Sequence, residues 1–257
     1  MSVFTPPPER QRQILTRLNR QGRLSVADIV ERFDISEATA RRDLATLASQ
    51  GKVQRVHGGA IAAEQAPPEL PILQRQKEQA DAKHRIGRVV AQLVAEKETV
   101  FLGSGTTVLE VARQLRGHKN LTVITNSLPV LNMLSGLDGI TVIALGGMLR
   151  RTELSFIGHV TEQALAEVRA DKVILGARGI SLEQGLTNDF LPETLTDRAI
   201  LKIAPEVILA ADHTKIGRVS SAFLAPLSKI HRLVTDKSAP RGFLAALRKR
   251  NIEVSLA

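Results

Sequence analysis

The 257-residue chain has no cysteine, which removes disulfides and thiolate chemistry from consideration. It has no apolar run approaching the ~20 residues that a membrane helix needs, so no membrane partner is expected. Residues Met1 to Pro8 lack the apolar centre of a signal peptide, and a cytoplasmic protein is the expectation. The lysine of a Walker loop is missing, as is G-x-G-x-x-G; neither a cofactor nor a metal is expected. What is present is ordinary for a soluble globular protein: 43% hydrophobic residues, a mean hydropathy near zero, and length enough for two domains.

The formal net charge is +9. Residues 1–62 hold ten Lys/Arg against six Asp/Glu, a net +4 that leaves +5 for the other 195 residues. The excess per residue is highest at the N-terminal end, a balance that favours polyanionic partners.

Glu9 to Gln21 reads as a helix with Ile14, Leu15 and Leu18 on one face, stopped by Gly22. Ser25-Val-Ala-Asp28 fits a capping box in its Asp form and opens a second helix with Val26, Ile29, Val30 and Phe33 inward. After a turn at Asp34-Ile35, Ser36 is a good N-cap for a third helix that ends at Gly51. Ala40, Leu44, Leu47 and Ala48 recur on its buried face, while Arg42, Thr46 and Ser49 lie opposite, flanked by Thr39 and Arg41. Three short helices sharing an apolar side make a helix-turn-helix whose last helix can enter a major groove. Lys52 to Ala60 then alternates and breaks at Gly58-Gly59, a small hairpin carrying Lys52, Arg55 and His57. Such a basic wing grips phosphates beside a helix that reads bases; the plainer reading of Lys52 and Arg55 is surface charge. Asp43 is assigned to an internal ion pair, because a carboxylate near phosphate is repelled.

Residues 38–60, ATARRDLATLASQGKVQRVHGGA, closely resemble the signature of the DeoR family of bacterial transcriptional regulators. The resemblance implies a winged helix-turn-helix over residues 1–62 that binds double-stranded operator DNA. It implies DNA contacts by Ser36, Thr39, Arg41, Arg42 and Arg55, to which the basic wing and outer helix face add Thr46, Lys52 and His57.

Ala66 to Pro71 is proline-rich and marks a linker; residues 63–80 are assigned to it and to the start of a helix running from about Leu73 to Ala95. The first half of that helix is highly charged, and Lys83, His84, Arg85 and Arg88 are expected on its wet side. In the resembled family a lysine near Lys83 is close to the effector pocket.

From Thr99 onward short apolar runs alternate with helical patterns: 99–102, 121–125, 140–145, 172–175, 207–210 and 232–235, with helices including 107–115 and 192–203. This predicts, for residues 81–257, a mostly parallel α/β sheet covered on both faces, with ligands at the carboxyl ends of its strands. The first strand ends in Gly103-Ser104-Gly105-Thr106-Thr107 directly before a helix, a physical cradle for phosphate, although for a short G-S-G turn taken alone a purely structural strand-to-helix turn is the better reading. Asn126-Ser127, Gly146-Gly147, Gly176–Ile180 and Asp212–Lys215 end other strands and are expected to converge on the same mouth. Arg178 and Lys215 would add positive charge there, unless they are surface cations or pair with Asp212 or Glu183. Gly185 to Thr187 and Glu193 form a further loop suited to sugar hydroxyls.

This half resembles the sugar-phosphate-sensing domain of the same family, related in fold to ribose-5-phosphate isomerase, through G-S-G-T-T, T-N-S, L-G-G, G-x-x-G-I, G-L-T and D-x-x-K. The resemblance implies a phosphorylated sugar or sugar derivative as effector; self-association as a dimer or tetramer is expected because paired sensor domains would set two reading helices at the spacing of operator half-sites. An isomerase-like enzyme carrying a DNA-binding domain is the alternative. It is the weaker reading, because Gly176–Ile180 offers Arg178 where an isomerase needs a carboxylate base, so no catalytic residue is assigned.

Overall fold

The structure, a computed structural model, describes residues 6–21, 23–49, 53–56, 58–62 and 71–257. The chain divides into two compact units, residues 1–67 and 68–257.

The first unit is built from α1 (Pro7–Gln21), β1 (Arg23–Ser25), α2 (Val26–Phe33), α3 (Glu37–Ser49), β2 (Val53–Val56) and β3 (Gly59–Ala62). Ser25 starts α2 with the anticipated reciprocal cap: Asp28 N–H donates to Ser25 Oγ at 3.0 Å, and Ser25 N–H to Asp28 Oδ2 at 2.8 Å. Ile14, Leu18, Ile29, Ala40, Leu44 and Leu47 form its core together with Val53 and Ala60 of the wing. Ala48 and Ser49 have side chains outside the described residues. The wing hairpin is joined by β1, giving an antiparallel sheet of order β1-β3-β2. Three residues immediately before a helix carry no strand periodicity, so β1 had no signal in the sequence.

The second unit begins with α4 (Ile72–Arg75) and α5 (Ala80–Ala91). The single helix expected from Leu73 to Ala95 is therefore corrected to two. Gln79 adopts a left-handed conformation, φ 51°, and breaks the run. Ile72 N–H donates to Thr152 O, and the Lys83 ammonium donates to Arg75 O at 2.7 Å. Tertiary contacts thus hold the charged segment in place, and Lys83 is buried, whereas His84, Arg85 and Arg88 are exposed as anticipated.

There follow β4 (Thr99–Leu102), α6 (Thr106–Leu115), β5 (Leu121–Thr125), α7 (Leu128–Leu134), β6 (Ile140–Ala144), β7 (Met148–Arg150), β8 (Ser155–Ile157), α8 (His159–Ala166) and β9 (Lys172–Leu175). The chain continues through β10 (Gly179–Ser181), β11 (Gly185–Asn188), α9 (Leu191–Ile200), β12 (Glu206–Ala210), β13 (Ala222–Ala225), β14 (Arg232–Thr235), α10 (Arg241–Arg248) and β15 (Glu253–Leu256). Seven strands make one parallel sheet of order β15-β14-β12-β9-β4-β5-β6. Alternate side chains enter opposite layers, as the two-residue period of a strand requires. Val100, Leu102, Ile174 and Ile208 pack with Ile86, Val90, Val108 and Val111 of α5 and α6. Phe101, Val173, Leu175 and Leu209 pack on the other side with Leu165, Ile200 and Leu247. The hairpin β7-β8 and the antiparallel sheet β10-β11-β13 were not anticipated. Among the described residues no helix is long and apolar enough to cross a membrane.

Candidate functional site

In the first unit, Ser36 opens α3: Thr39 N–H donates to Ser36 Oγ at 3.2 Å, and the two hydroxyls lie 2.9 Å apart. Thr39, Arg42 and Thr46 follow at helical spacing and share a stripe of α3. Arg41 and Arg42 are exposed. Arg41 pairs with Glu37 at 3.1 Å, with both side chains open to solvent, and Thr46 Oγ1 donates back to Arg42 O. Asp43 turns inward, where Arg10 Nε meets it at 2.6 Å and Gln11 Nε2 at 2.9 Å. Lys52 and His57 lie outside the described residues; Arg55 sits in β2, its side chain likewise not described. The result is a compact winged helix whose third helix turns Arg41 and Arg42 to solvent.

In the second unit an open cleft with a cavity volume of about 60 Å³ lies at the carboxyl ends of β4, β9 and β12. Its floor is Ser104 to Val108. Gly105 precedes α6 as the N-cap with φ 110° and supplies no side-chain acceptor, so the first-turn amides present their positive dipole to the cleft. Leu175 to Arg178 follow β9, and Ala210, Ala211 and Lys215 follow β12. Asn188, Asp189, Glu193 and Asp197 close one side; Arg75, Glu78, Lys83 and Glu153 close another.

The charges in this wall are engaged. The Arg75 guanidinium is hydrogen-bonded to Glu153, both buried. Glu193 accepts from Arg150, from Ser155 Oγ at 2.7 Å and from Ser104 Oγ at 3.5 Å. Arg178 Nε donates to Asp189 at 2.7 Å, an acid that neither reading of this residue had named. Asn188 Nδ2 donates to Asp197 at 2.8 Å. The two lysines differ. Burial pulls the Lys83 ammonium down to a pKa of about 8, against the attraction of Asp212 and with repulsion from Lys215. Lys215 is lowered by burial too, again against Asp212 and assisted by Arg178. An anion entering here would restore both ammonium groups.

Of the positions expected at the mouth, the cleft brings together Ser104, Gly105, Thr106, Thr107, Arg178 and Lys215. Five others are not in its wall. Gly103 is buried, and a Cβ there would stand 2.3 Å from Leu175 Cδ2, so its glycine serves strand packing. Asn126 Nδ2 donates to Phe156 O, and Ser127 caps α7 while bridging Ser155, so this pair anchors the β7-β8 hairpin. Gly146 O accepts from Thr161 Oγ1. At Gly147, φ 147°, a Cβ would meet the same hydroxyl at 2.1 Å. These two glycines fit the turn against α8. Sequence reasoning missed Arg75, Glu78, Glu153, Asn188, Asp189 and Asp197. Only Glu193 and Lys83 had a signal, the first as a loop polar residue and the second through family resemblance.

A winged helix with two arginines exposed on its third helix, followed by a separate α/β unit with a polar cleft at its strand ends, defines a DNA-binding regulator with a sensor domain. Residues 10–66 match the DeoR-like helix-turn-helix domain, and residues 78–237 the DeoR C-terminal sensor domain. The chain belongs to the DeoR family of transcriptional regulators. It is 35% identical to the transcriptional repressor AccR of Agrobacterium fabrum, with 91% of each chain covered. It is 34% identical to the glycerol-3-phosphate regulon repressor of Escherichia coli K12, over 96% of this chain and 98% of that one. Among solved structures, ribose 5-phosphate isomerase A from Methanocaldococcus jannaschii overlays 54% of this chain and 55% of its own, with a TM-score of 0.40 at 18% identity. That chain is spanned by about half, and a likeness of this size carries no functional argument.

Proposed function

We propose that the chain represses an operon of carbohydrate catabolism and is tuned on its operator by a phosphorylated sugar or sugar derivative seated in the cleft. It acts as a dimer or tetramer and catalyses nothing. The observation that carries this reading is the meeting, in one cleft, of an N-terminally uncapped helix with the ammonium groups of buried Lys83 and half-buried Lys215. The amides of α6 suit a phosphate, and Lys83 and Lys215 match its charge. Ser104, Thr106, Thr107, Asn188, Glu193 and Asp197 offer donors and acceptors for hydroxyls. The relatives' names, repressors in both cases and a glycerol-3-phosphate regulon in one, support the same direction. On the DNA side, Ser36, Thr39, Arg41, Arg42 and Thr46, with Lys52, Arg55 and His57 of the wing, are the proposed contacts.

An enzyme would need an available general base. Glu193 and Asp197 accept hydrogen bonds from Arg150, Ser155 and Asn188, so neither is poised for proton transfer. The experiment is a screen of phosphorylated metabolites for thermal stabilisation, since a ligand selective for the folded state raises its melting temperature. Each hit is then assayed for turnover and for loss of operator binding. Stabilisation with altered operator affinity and unchanged ligand is the expected result. Conversion of the ligand would move the chain to the enzyme reading, and no hit among sugar phosphates would remove the sensor reading.

A further inference from the structure

Away from the cleft, exposed apolar side chains gather around α9. Leu191 and Leu195, one turn apart on that helix, are 55% and 47% exposed. Phe190 just before it, Phe223 on β13, Met148 on β7 and Val160 on α8 are exposed as well. The other face of α9 is built into the protein: Glu193, Thr194, Thr196, Asp197 and Ile200 are buried. The surrounding elements are tied to the helix. Arg150 lies over the Phe190 ring at 4.7 Å, and Arg198 over the Phe223 ring at 5.9 Å. Met148 stands two residues from Arg150 on the same face of β7. Thr196 Oγ1 accepts from Gly158 N–H and donates to Glu162, docking the first turn of α8 against the middle of α9.

We infer that this face seats a second copy of the chain, α9 against α9 about a two-fold axis, so that the helix walling the cleft is also the interface. The inference rests on reading the chain as a self-associating regulator. Its size fits: the six side chains expose roughly 500 Å² of apolar surface if a large side chain carries ~150–250 Å². At the ~65% apolar content of homodimer interfaces, that corresponds to ~800 Å² per subunit, the size of a stable interface. Every copy carries the same patch, which a two-fold contact matches with itself. Strand addition at β13 is blocked, because Arg198 donates to Leu224 O at 3.2 Å and also to Phe223 O. The contact is therefore made by side chains. Because Glu193 and Asp197 share the helix with Leu191 and Leu195, ligand in the cleft and partner on the outside act on one rigid element.

The test is sedimentation velocity of the full chain across micromolar concentrations, for the parent and for Leu191→Asp and Leu195→Asp. Each substitution should weaken association by roughly 30-fold or more, as expected for a central interface anchor. Both positions are exposed, so each variant should keep the parent's circular-dichroism spectrum, while its melting temperature should lose the rise with protein concentration that association gives the parent. The absence of cysteine permits a second test. Leu195→Cys should cross-link to its counterpart with a short bis-maleimide, whereas Leu73→Cys, 65% exposed on α4, should not. A monomeric parent overturns the inference, as do aspartate variants that sediment like the parent or a dimer in which Leu195→Cys fails to cross-link. A parent that dimerises through these residues yet ignores phosphate supports the interface and sinks the sensor reading instead.

Discussion

The outer face of α3 and the wall of the cleft handle arginine in opposite ways. On α3, Arg41 and Arg42 stand in solvent, and Glu37, which pairs with Arg41, is exposed as well. In the cleft, Arg75 and Arg178 are held against Glu153 and Asp189 with little exposure. The difference follows from the target. A duplex is a dense line of phosphates with counterions to release, so mobile surface cations suffice and bases are read by whichever of them reach the groove. A small anion has to be recognised against water, so its site is assembled in advance from buried donors with fixed partners. The helix face keeps its charges available; the cleft keeps them in place.

The sharpest way to break this contrast is Glu153→Ala. It removes the carboxylate beside buried Arg75, and the second unit should lose ~3–5 kcal/mol in denaturant unfolding, the usual consequence of halving a buried pair. Glu37→Ala, beside an exposed arginine, should cost at most ~0.5 kcal/mol. Equal losses would erase the distinction between the helix face and the cleft. A smaller effect is expected from Arg42→Ala, which should weaken operator binding by ~1–3 kcal/mol if it contacts a base. An unchanged affinity in a salt-controlled binding assay strikes it from the DNA surface. Lys215→Ala should spare operator binding and weaken phosphate or sugar-phosphate binding about tenfold, ~1.4 kcal/mol; an equal loss of operator affinity would show that the division of labour is wrong.

The smallest effect concerns pH. The Lys83 pKa of about 8 lies below the unfolded value of roughly 10.4, so between these values the unfolded chain binds more protons. The lysine's penalty on folding is complete below pH 8 and fades as pH rises towards the unfolded value. A phosphate in the cleft favours the ammonium, so its binding should take up a proton near pH 8 and weaken above it. Calorimetry in two buffers of different ionisation enthalpy measures that proton; an identical heat in both would show that Lys83 does not face the ligand.

What the sequence disclosed was governed by period and punctuation. The capping box at Ser25, the inward face of α3 and the apolar runs that became β4, β5, β6, β9, β12 and β14 all announce themselves locally. Asp43 was legible as an internal partner by charge alone, and Arg10 supplies the pairing. The cleft was legible only in part, because the G-S-G-T-T turn has its own grammar while its opposite walls do not. Glu153, Asn188 and Asp197 are brought there by the β7-β8 hairpin, the end of β11 and one face of α9, and their spacing in the chain carries no period. Gly103, Asn126, Gly146 and Gly147 misled for a related reason. Small or polar residues after a strand serve tight packing as readily as they serve a ligand, and only the neighbours Leu175, Phe156 and Thr161 distinguish the two uses.

The sheet order has a consequence for synthesis. β4 finds its partner in β9, and the hydrogen bond from Thr99 N–H to Asp171 spans 72 residues, while β14 is bordered by β15 at the end of the chain. The winged helix closes with contacts no longer than its own length and is complete when it leaves the ribosome. The sensor must wait for nearly the last residue. Translation interrupted after the first unit therefore leaves a finished winged helix without the α/β unit that follows it.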